Sequence, residues 1–560
     1  MRTSIQWMTA AAVAAMMAFT ANAVTVTVVV DGPGKVSPVG TVQVAAGKSV
    51  TLKATPDKDA VFFRWMPGSV MTPTLKVTPT ADITYTAYFR TKASASVLPI
   101  IASLSSTETM VGVPFRATLP LSNNQAYPVK FSAKGLPKGL KIDANSGLIT
   151  GVPTEAKTYP VTFTATSVAN PKLVATRAFD ITISPLPEKA QGTFSGYLDD
   201  LGGNFGSFTA TVSAKGKVSA KAVTPYGTYT FSAPSWTSRS GNTFTAEAQT
   251  KKGQSLTLNV DASKAWNVNY GAEGSVSGAG IPAYDIYAQR NPFLDKKGTD
   301  HNAAIAELTA KYAGYYTVGL PFNGFGDRGQ AIIGSGGIAP VGSGYLTLTV
   351  SGKGSAKAAG KMADGTSFSA SVPFWVVGGN AWVDPYAPLY AKKGFAFCWM
   401  TISGASGAIS GGGDWSYPGK SPAAKVPLTG DRFHVYIGSL YGAKYTPPPA
   451  GHTETIVFNV NNGNTFPFTG DSKGKYTLGG VLPAPFTGAT LSLNPKTGVF
   501  TGKVSGVVDG KKVSYSHTGV RIQRTPAPGA PCGAGYVTLP SVKYGPYTLK
   551  YSLPVQLEYP

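Results

Sequence analysis

Residues Gly206 to Gly227 align without gaps on Gly344 to Gly365. Within them Phe208-Thr-Ala-Thr-Val-Ser-Ala-Lys-Gly216 matches Leu346-Thr-Leu-Thr-Val-Ser-Gly-Lys-Gly354. A segment repeated inside one chain restricts the fold more than any other feature, because each copy must be one structural unit. Here the unit has period two. Phe208, Ala210 and Val212 share one strand face, and Thr209, Thr211 and Ser213 share the other. Lys-Gly supplies a hairpin turn, and a lysine-bearing return strand runs to Tyr226-Gly227 or Asp364-Gly365. A weaker third copy, Leu491-Ser-Leu-Asn-Pro-Lys-Thr-Gly498, ends at Asp509-Gly510. Gln289-Arg290-Asn291-Pro292 and Gln523-Arg524-Thr525-Pro526 close the first and last copies alike.

The composition agrees. The 66 glycines and 42 prolines are the turn formers that short antiparallel strands require. Apolar residues at 42% exclude a disordered chain, and the absence of a Gly-X-Y period excludes collagen. At 560 residues several cores are expected. The repeat region divides into unit 1 (190–293), a linker with a short helix (294–313), unit 2 (314–425), unit 3 (426–526) and C-terminal strands (527–560). It is loosely similar to repeats of exported bacterial proteins, and either barrels or stacked sheets would protect its strand edges. In the linker Asp300 is placed to cap a helix from His301 to Tyr312, with Ile305, Leu308 and Tyr312 at helical spacing.

Two other β patterns precede the repeats. From 24 to 92, Val24-Thr-Val-Thr-Val28 alternates, Asp31-Gly-Pro-Gly34 turns, and further strands are expected at Ser49–Ala54, Val61–Trp65 and Ile83–Phe89. The run Gly34-x-Val36-x-Pro38, Gly47-Lys-Ser-Val-Thr-Leu52-x-Ala54-x-Pro56, Phe62-x-x-Trp65 and Thr86-Ala-Tyr-Phe89 resembles the divergent internalin-type B-repeat. That resemblance implies a β-grasp-like stalk or adhesive piece, with Trp65 as core. From 97 to 187, Gly135-Leu-Pro-Lys-Gly-Leu-Lys-Ile-Asp143 precedes Ser146-Gly-Leu-Ile-Thr-Gly-Val-Pro153, and alternating strands follow. This resembles the bacterial Ig-like domain of the cadherin-like group. Cadherin-like relatives bind calcium through clustered acids, whereas Asp143 and Asp180 stand apart. No cofactor or metal is therefore expected, with calcium the one alternative. The fold class is all-β and multidomain: a β-grasp-like module, an Ig-like sandwich and repeated antiparallel hairpins.

Arg2, the apolar run Met8–Phe19 and Ala21-Asn22-Ala23 form a signal peptide with cleavage expected after Ala23. The mature chain is expected to be secreted or held at the cell surface, without a membrane-spanning helix. In an oxidising compartment Cys398 and Cys532 could pair, or each could be a buried thiol.

Recognisable catalytic chemistry is scarce. His301, His434, His452 and His517 lack metal-ligand spacing, and Gly411-Gly-Gly413 lacks the residues of a phosphate loop. A carboxylate pair for polysaccharide processing stays open, with Asp199, Asp200, Asp384 and Asp414 nearest to aromatic or glycine-rich loops. Trp375, Trp382, Tyr386, Tyr390, Trp415 and Tyr417 are candidates for stacking on sugar rings, beside Asn380 and Asp384. The same residues would equally fill a β core, Trp382 being the best placed for exposure. The net charge of +22 makes Lys215, Lys217, Lys221, Lys353, Lys357 and Lys361 a candidate anion-binding stripe, or a guard against edge-to-edge pairing. The expectation is a non-catalytic, exported structural or adhesive protein whose partner is polysaccharide or another surface protein, with no specific nucleic acid. Carbohydrate binding through residues 375–417 is the first alternative, and a polysaccharide-processing enzyme the second.

Overall fold

The computed structural model describes residues 23–560 except 46, 93–97, 123–128, 169, 204, 269–270, 296–297, 324–341, 373, 418–432, 461–463, 524–529 and 545–546. The signal segment therefore lies outside the described residues, as does Arg524-Thr525-Pro526 of the closing motif. The chain divides into two compact units between Pro185 and Leu186.

The first unit contains two modules. In the N-terminal one, Ala23–Asp31 and Ile83–Thr91 run parallel at the middle of a four-stranded sheet, flanked by Gly40–Ala45 and Ala60–Met66. Parallel pairing of first and last strands is the β-grasp-like element, and no helix occurs among the module's described residues. A second sheet joins Gly34–Ser37, Val50–Pro56 and Thr74–Val77. Trp65 is fully buried, with Phe62 between it and Phe89 at ring separations of 5.8 and 5.7 Å. A Cβ on Gly34 would run into the Phe89 ring, which explains that glycine of the motif.

The second module is a sandwich. A four-stranded sheet (Val129–Lys134, Lys157–Ser167, Val174–Ser184, Glu108–Met110) faces a three-stranded one (Leu140–Ile142, Leu148–Gly151, Phe115–Thr118) across Phe115, Ile149, Val161, Phe163 and Ile181. Asp143 holds the turn into Leu148–Gly151, accepting the Ser146 N–H at 2.7 Å and the Asn145 N–H at 3.0 Å. Asp180 is exposed on its strand.

The second unit contains three successive meanders. In the first, Gly192–Asp199 lies between Phe205–Val212 and the last strand, Ile281–Arg290, and the nine-stranded order breaks between Gly227–Ala233 and Ser238–Ser240. The second repeats this circuit. Gly314–Leu320 lies between Gly344–Val350 and Phe433–Lys444, and the order breaks between Ser367–Val372 and Phe374–Val377. The third closes completely as an eight-stranded barrel, because Thr453–Val460 pairs with Tyr547–Glu558. The apolar faces named from the repeat all point inward: Phe208, Leu346 and Leu491 are buried.

Two expectations need correction. The sheet boundary falls after Lys444, not at 425, since Phe433–Lys444 completes the second meander; Pro531–Tyr544 and Tyr547–Glu558 belong to the third barrel. Pairing along a ladder decides membership, and a sequence repeat does not disclose where the circuit starts. The linker helix is Thr299–Glu307, continued by a π-helical turn Leu308–Tyr312, and its N-cap is Gly298. Asp300 instead accepts a hydrogen bond from Arg290 Nη1 at 2.9 Å, while Asp295 takes Nη2 at 2.8 Å. An almost buried guanidinium outcompetes a backbone N–H that water can satisfy. Ala304, Leu308 and Tyr312 sink into the second meander's core beside Phe293 and Phe374, so the helix is core as well as connection.

Candidate functional site: a hydroxyl-lined cleft

A cleft of ≈ 760 Å³ lies between the Lys361–Gly365 turn of the second meander and the outer face of the third barrel. The barrel wall follows directly from strand alternation. Phe486–Leu493, Val499–Val508 and Lys511–Arg521 turn Leu491, Leu493, Phe500 and Val504 inward, leaving Ser492, Thr501, Lys503 and Ser516 outside, while Val520, Ala534 and Tyr536 pack against Tyr345 and Ala443 of the second meander. Antiparallel register then aligns Ser492, Thr501, Thr518 and Tyr536 as one row across four strands. Thr490, Lys503 and Ser516 form the adjacent row. Tyr536 is 2% exposed, and burial pushes its phenol up.

The opposite wall is fixed through aromatic residues. Trp415 Nε1–H donates to Tyr390 Oη at 3.0 Å, and Tyr390 Oη–H donates to Asp364 Oδ2 at 3.0 Å. Asp364 also accepts the Thr366 N–H at 2.9 Å and the Thr366 hydroxyl at 2.7 Å. Tyr390, Ala391 and Lys392 have φ of 52°, 54° and 69°, a run of left-handed side-chain-bearing residues that only strong anchoring sustains. The walls meet where Tyr345 Oη and Thr518 Oγ1 share a 3.3 Å hydrogen bond and Thr317 Oγ1–H donates to the Arg521 carbonyl at 2.6 Å.

Beneath the barrel wall, His517 points inward over Gly502, and its Nε2 meets the Thr490 carbonyl at 2.9 Å. A Cβ on Gly502 would come within 2.5 Å of that Nε2. His517 is 3% exposed and lies 4.5 Å from the Phe458 ring, so burial pushes its imidazole down to about 4.

The sequence candidates fall elsewhere, with partial exceptions. Trp375 (3% exposed), Tyr386 (5%) and Trp415 (0%) are core, so the expected aromatic stacking face does not form. Aromatic bulk closes the sheet interior here, as β propensity allows. Trp382 is half-buried directly opposite Trp375, and Tyr417 ends its strand with its side chain outside the described residues. Tyr390 and Trp415 act instead by positioning Asp364. The lysine stripe is also corrected. Val212↔Val218 and Val350↔Ala356 set the hairpin registers, and only Lys215 and Lys353 then occupy equivalent positions. Lys217, Lys221 and Lys357 are exposed on the outer faces at unmatched positions, and Lys361 lines the cleft.

Cys398 and Cys532 are both free and buried, one in the core of the second meander and one in that of the third barrel. Of the two alternatives the structure therefore shows the buried thiols, each enclosed by its own sheet, and not the bridge. Asp384 is buried with its Oδ1 unpartnered among the described residues, and desolvation raises its carboxyl to about 8. Asp199 stands directly opposite Asp285 across adjacent strands. Among the described residues no group of three or more His, Cys, Asp or Glu is placed to hold a metal, and no helix is long and apolar enough to cross a membrane.

Sequence reasoning missed the cleft and His517. The signal was present as Thr490-x-Ser492, Thr501-x-Lys503 and Ser516-x-Thr518, three strands with a hydroxyl-rich outer face.

Comparison with known proteins agrees with the first unit. Residues 24–93 match the family described as "Divergent InlB B-repeat domain" and residues 98–184 the one described as "Putative Ig domain". Extracellular-type modules in this order point to a surface or secreted protein of structural class. No curated protein matches the chain. Two solved chains from Bacteroides fragilis NCTC 9343 are similar over short stretches. One, described as a "putative alpha-galactosidase/melibiase", is 24% identical over 18% of this chain and 21% of its own, with a TM-score of 0.14. The other, a "putative alpha-galactosidase", is 28% identical over 16% and 19%, with a TM-score of 0.14. This chain spans about a fifth of the length of those solved chains, and the likeness carries no argument about activity.

Proposed function

We propose that this is an exported, non-catalytic structural or adhesive protein of the cell surface or extracellular space. Its B-repeat and Ig modules serve as spacer or adhesive pieces, and its three meanders form the body that meets a polysaccharide or another surface protein. The observation that carries the reading is the order of the modules, B-repeat at 24–93 and Ig at 98–184, each with its own core. Fractionation of cells expressing the full chain tests it. Mature protein beginning after Ala23, accessible to antibody on whole cells or present in the medium, is expected; retention of the uncleaved chain in the cytosol would overturn it.

Carbohydrate binding is a second reading, now favoured by the hydroxyl rows of the cleft rather than by residues 375–417. Against the enzymatic alternative, no hydrolysis of a glycan panel is expected. Reducing-sugar release that disappears in Asp199→Asn would refute the non-catalytic reading.

A further inference from the structure

We infer that the cleft between the Lys361–Gly365 turn and the third barrel binds a segment of anionic polysaccharide carrying carboxylate on its sugar rings. The inference rests on the exported reading only for access to such a ligand. Its volume, ≈ 760 Å³, falls within the roughly 300–1,000 Å³ of small-ligand pockets. The chemistry of the lining selects the class. Serine and threonine hydroxyls both donate and accept and rotate to suit, matching the hydroxyls of a sugar ring. Register places Ser492, Thr501 and Thr518 in a row across three strands, so they face the ligand as a set.

Charge narrows the class further. Lys361 and Lys503 come from the two different walls, and each supplies a flexible ammonium to a carboxylate. Asp364 shares the lining and is held in place by Thr366 and Tyr390. Asp364 is 5% exposed and both its oxygens are already engaged, so it acts as a fixed negative charge that disfavours ligands whose own negative charge is continuous, such as polyphosphate or nucleic acid. The lining thus matches a chain in which hydroxyls and spaced carboxylates alternate. The two walls are joined by the Tyr345–Thr518 and Thr317–Arg521 hydrogen bonds, so the cleft exists before ligand arrives.

The test is calorimetric titration of the purified mature protein at low salt with hexagalacturonate, maltohexaose and polyphosphate as probes. Hexagalacturonate is expected to bind. Affinity should fall at least tenfold in K361A/K503A and should weaken as salt rises. K215A/K353A, which removes two exposed turn lysines outside the cleft, should bind as the unaltered protein does. Thermal melts of both variants check that the fold persists, and a Thr501→Ala variant repeats the test without changing charge. The inference is overturned by absent hexagalacturonate binding, by equal affinity in K361A/K503A, or by equal losses in the two lysine pairs. Maltohexaose or polyphosphate binding as tightly would also overturn it. Because the titration uses isolated protein, its failure leaves the fractionation result standing, and the reverse holds too.

Discussion

Gly502 and His517 show how a single absent side chain organises three strands. The imidazole reaches across Gly502 from its own strand to the Thr490 carbonyl, and any Cβ at 502 blocks that path. Gly502→Ala should therefore destabilise the barrel by about 1–3 kcal/mol through overpacking, measured as a lower urea midpoint with unchanged slope. His517 should also make stability depend on pH. Its imidazole is pushed down to about 4 from an ordinary value near 6.5, so between these values the unfolded chain binds a proton that the folded chain does not. Stability is then complete above about pH 6.5 and declines as pH falls towards 4, by up to about 3 kcal/mol. Urea midpoints at pH 7 and pH 5 check this. A dependence as steep in His517→Gln as in the unaltered protein would assign it to other groups. The cysteines allow a third measurement at this scale. Burial pushes the Cys532 thiol up to about 12 and raises Cys398 as well, so neither supplies thiolate at neutral pH. A thiol reagent should find no reactive cysteine in native protein and two after denaturation, without prior reduction.

At the scale of elements, the helix Thr299–Glu307 and its π-helical extension illustrate the limit of periodicity. Helical spacing of Ile305, Leu308 and Tyr312 was legible, and the structure buries Leu308 and Tyr312 completely. The N-terminus was not legible, because Asp300 was taken from its cap position by Arg290, a residue of the preceding strand. Leu308→Ala should cost about 2–5 kcal/mol by opening a cavity in the second meander's core. Strand alternation was the most reliable signal. It placed Phe208, Ala210 and Val212, and their counterparts Leu346, Leu348 and Val350, on the buried side. Alternation could not say which outward faces remain wet. The outer row of Thr501 and Thr518 borders a cleft only because the second meander stands against it.

For the whole molecule, the division at Pro185 and Leu186 predicts separable stabilities. Scanning calorimetry of the full chain should resolve more than one transition, and Leu308→Ala should lower those of residues 186–560 while leaving that of the N-terminal modules in place. A single transition that moves as one with the substitution would contradict the division. The three meanders share side chains across their boundaries, as where Trp266 and Phe293 join the core of the second meander, so the second unit is expected to respond as a body.

The sequence by itself determined the all-β class, the two N-terminal modules and the inward face of the repeated strands. Each of these depends on local periodicity, turn chemistry or a contiguous motif, which are written along the chain. Tertiary structure alone decided that Cys398 and Cys532 lie in separate cores, that Tyr390 and Trp415 position a carboxylate, and that Lys361 and Lys503 line one cleft that the other repeat lysines do not line. Those outcomes depend on which strands pair and where each circuit begins. Pairing brings together residues more than a hundred positions apart, and no local pattern carries that information.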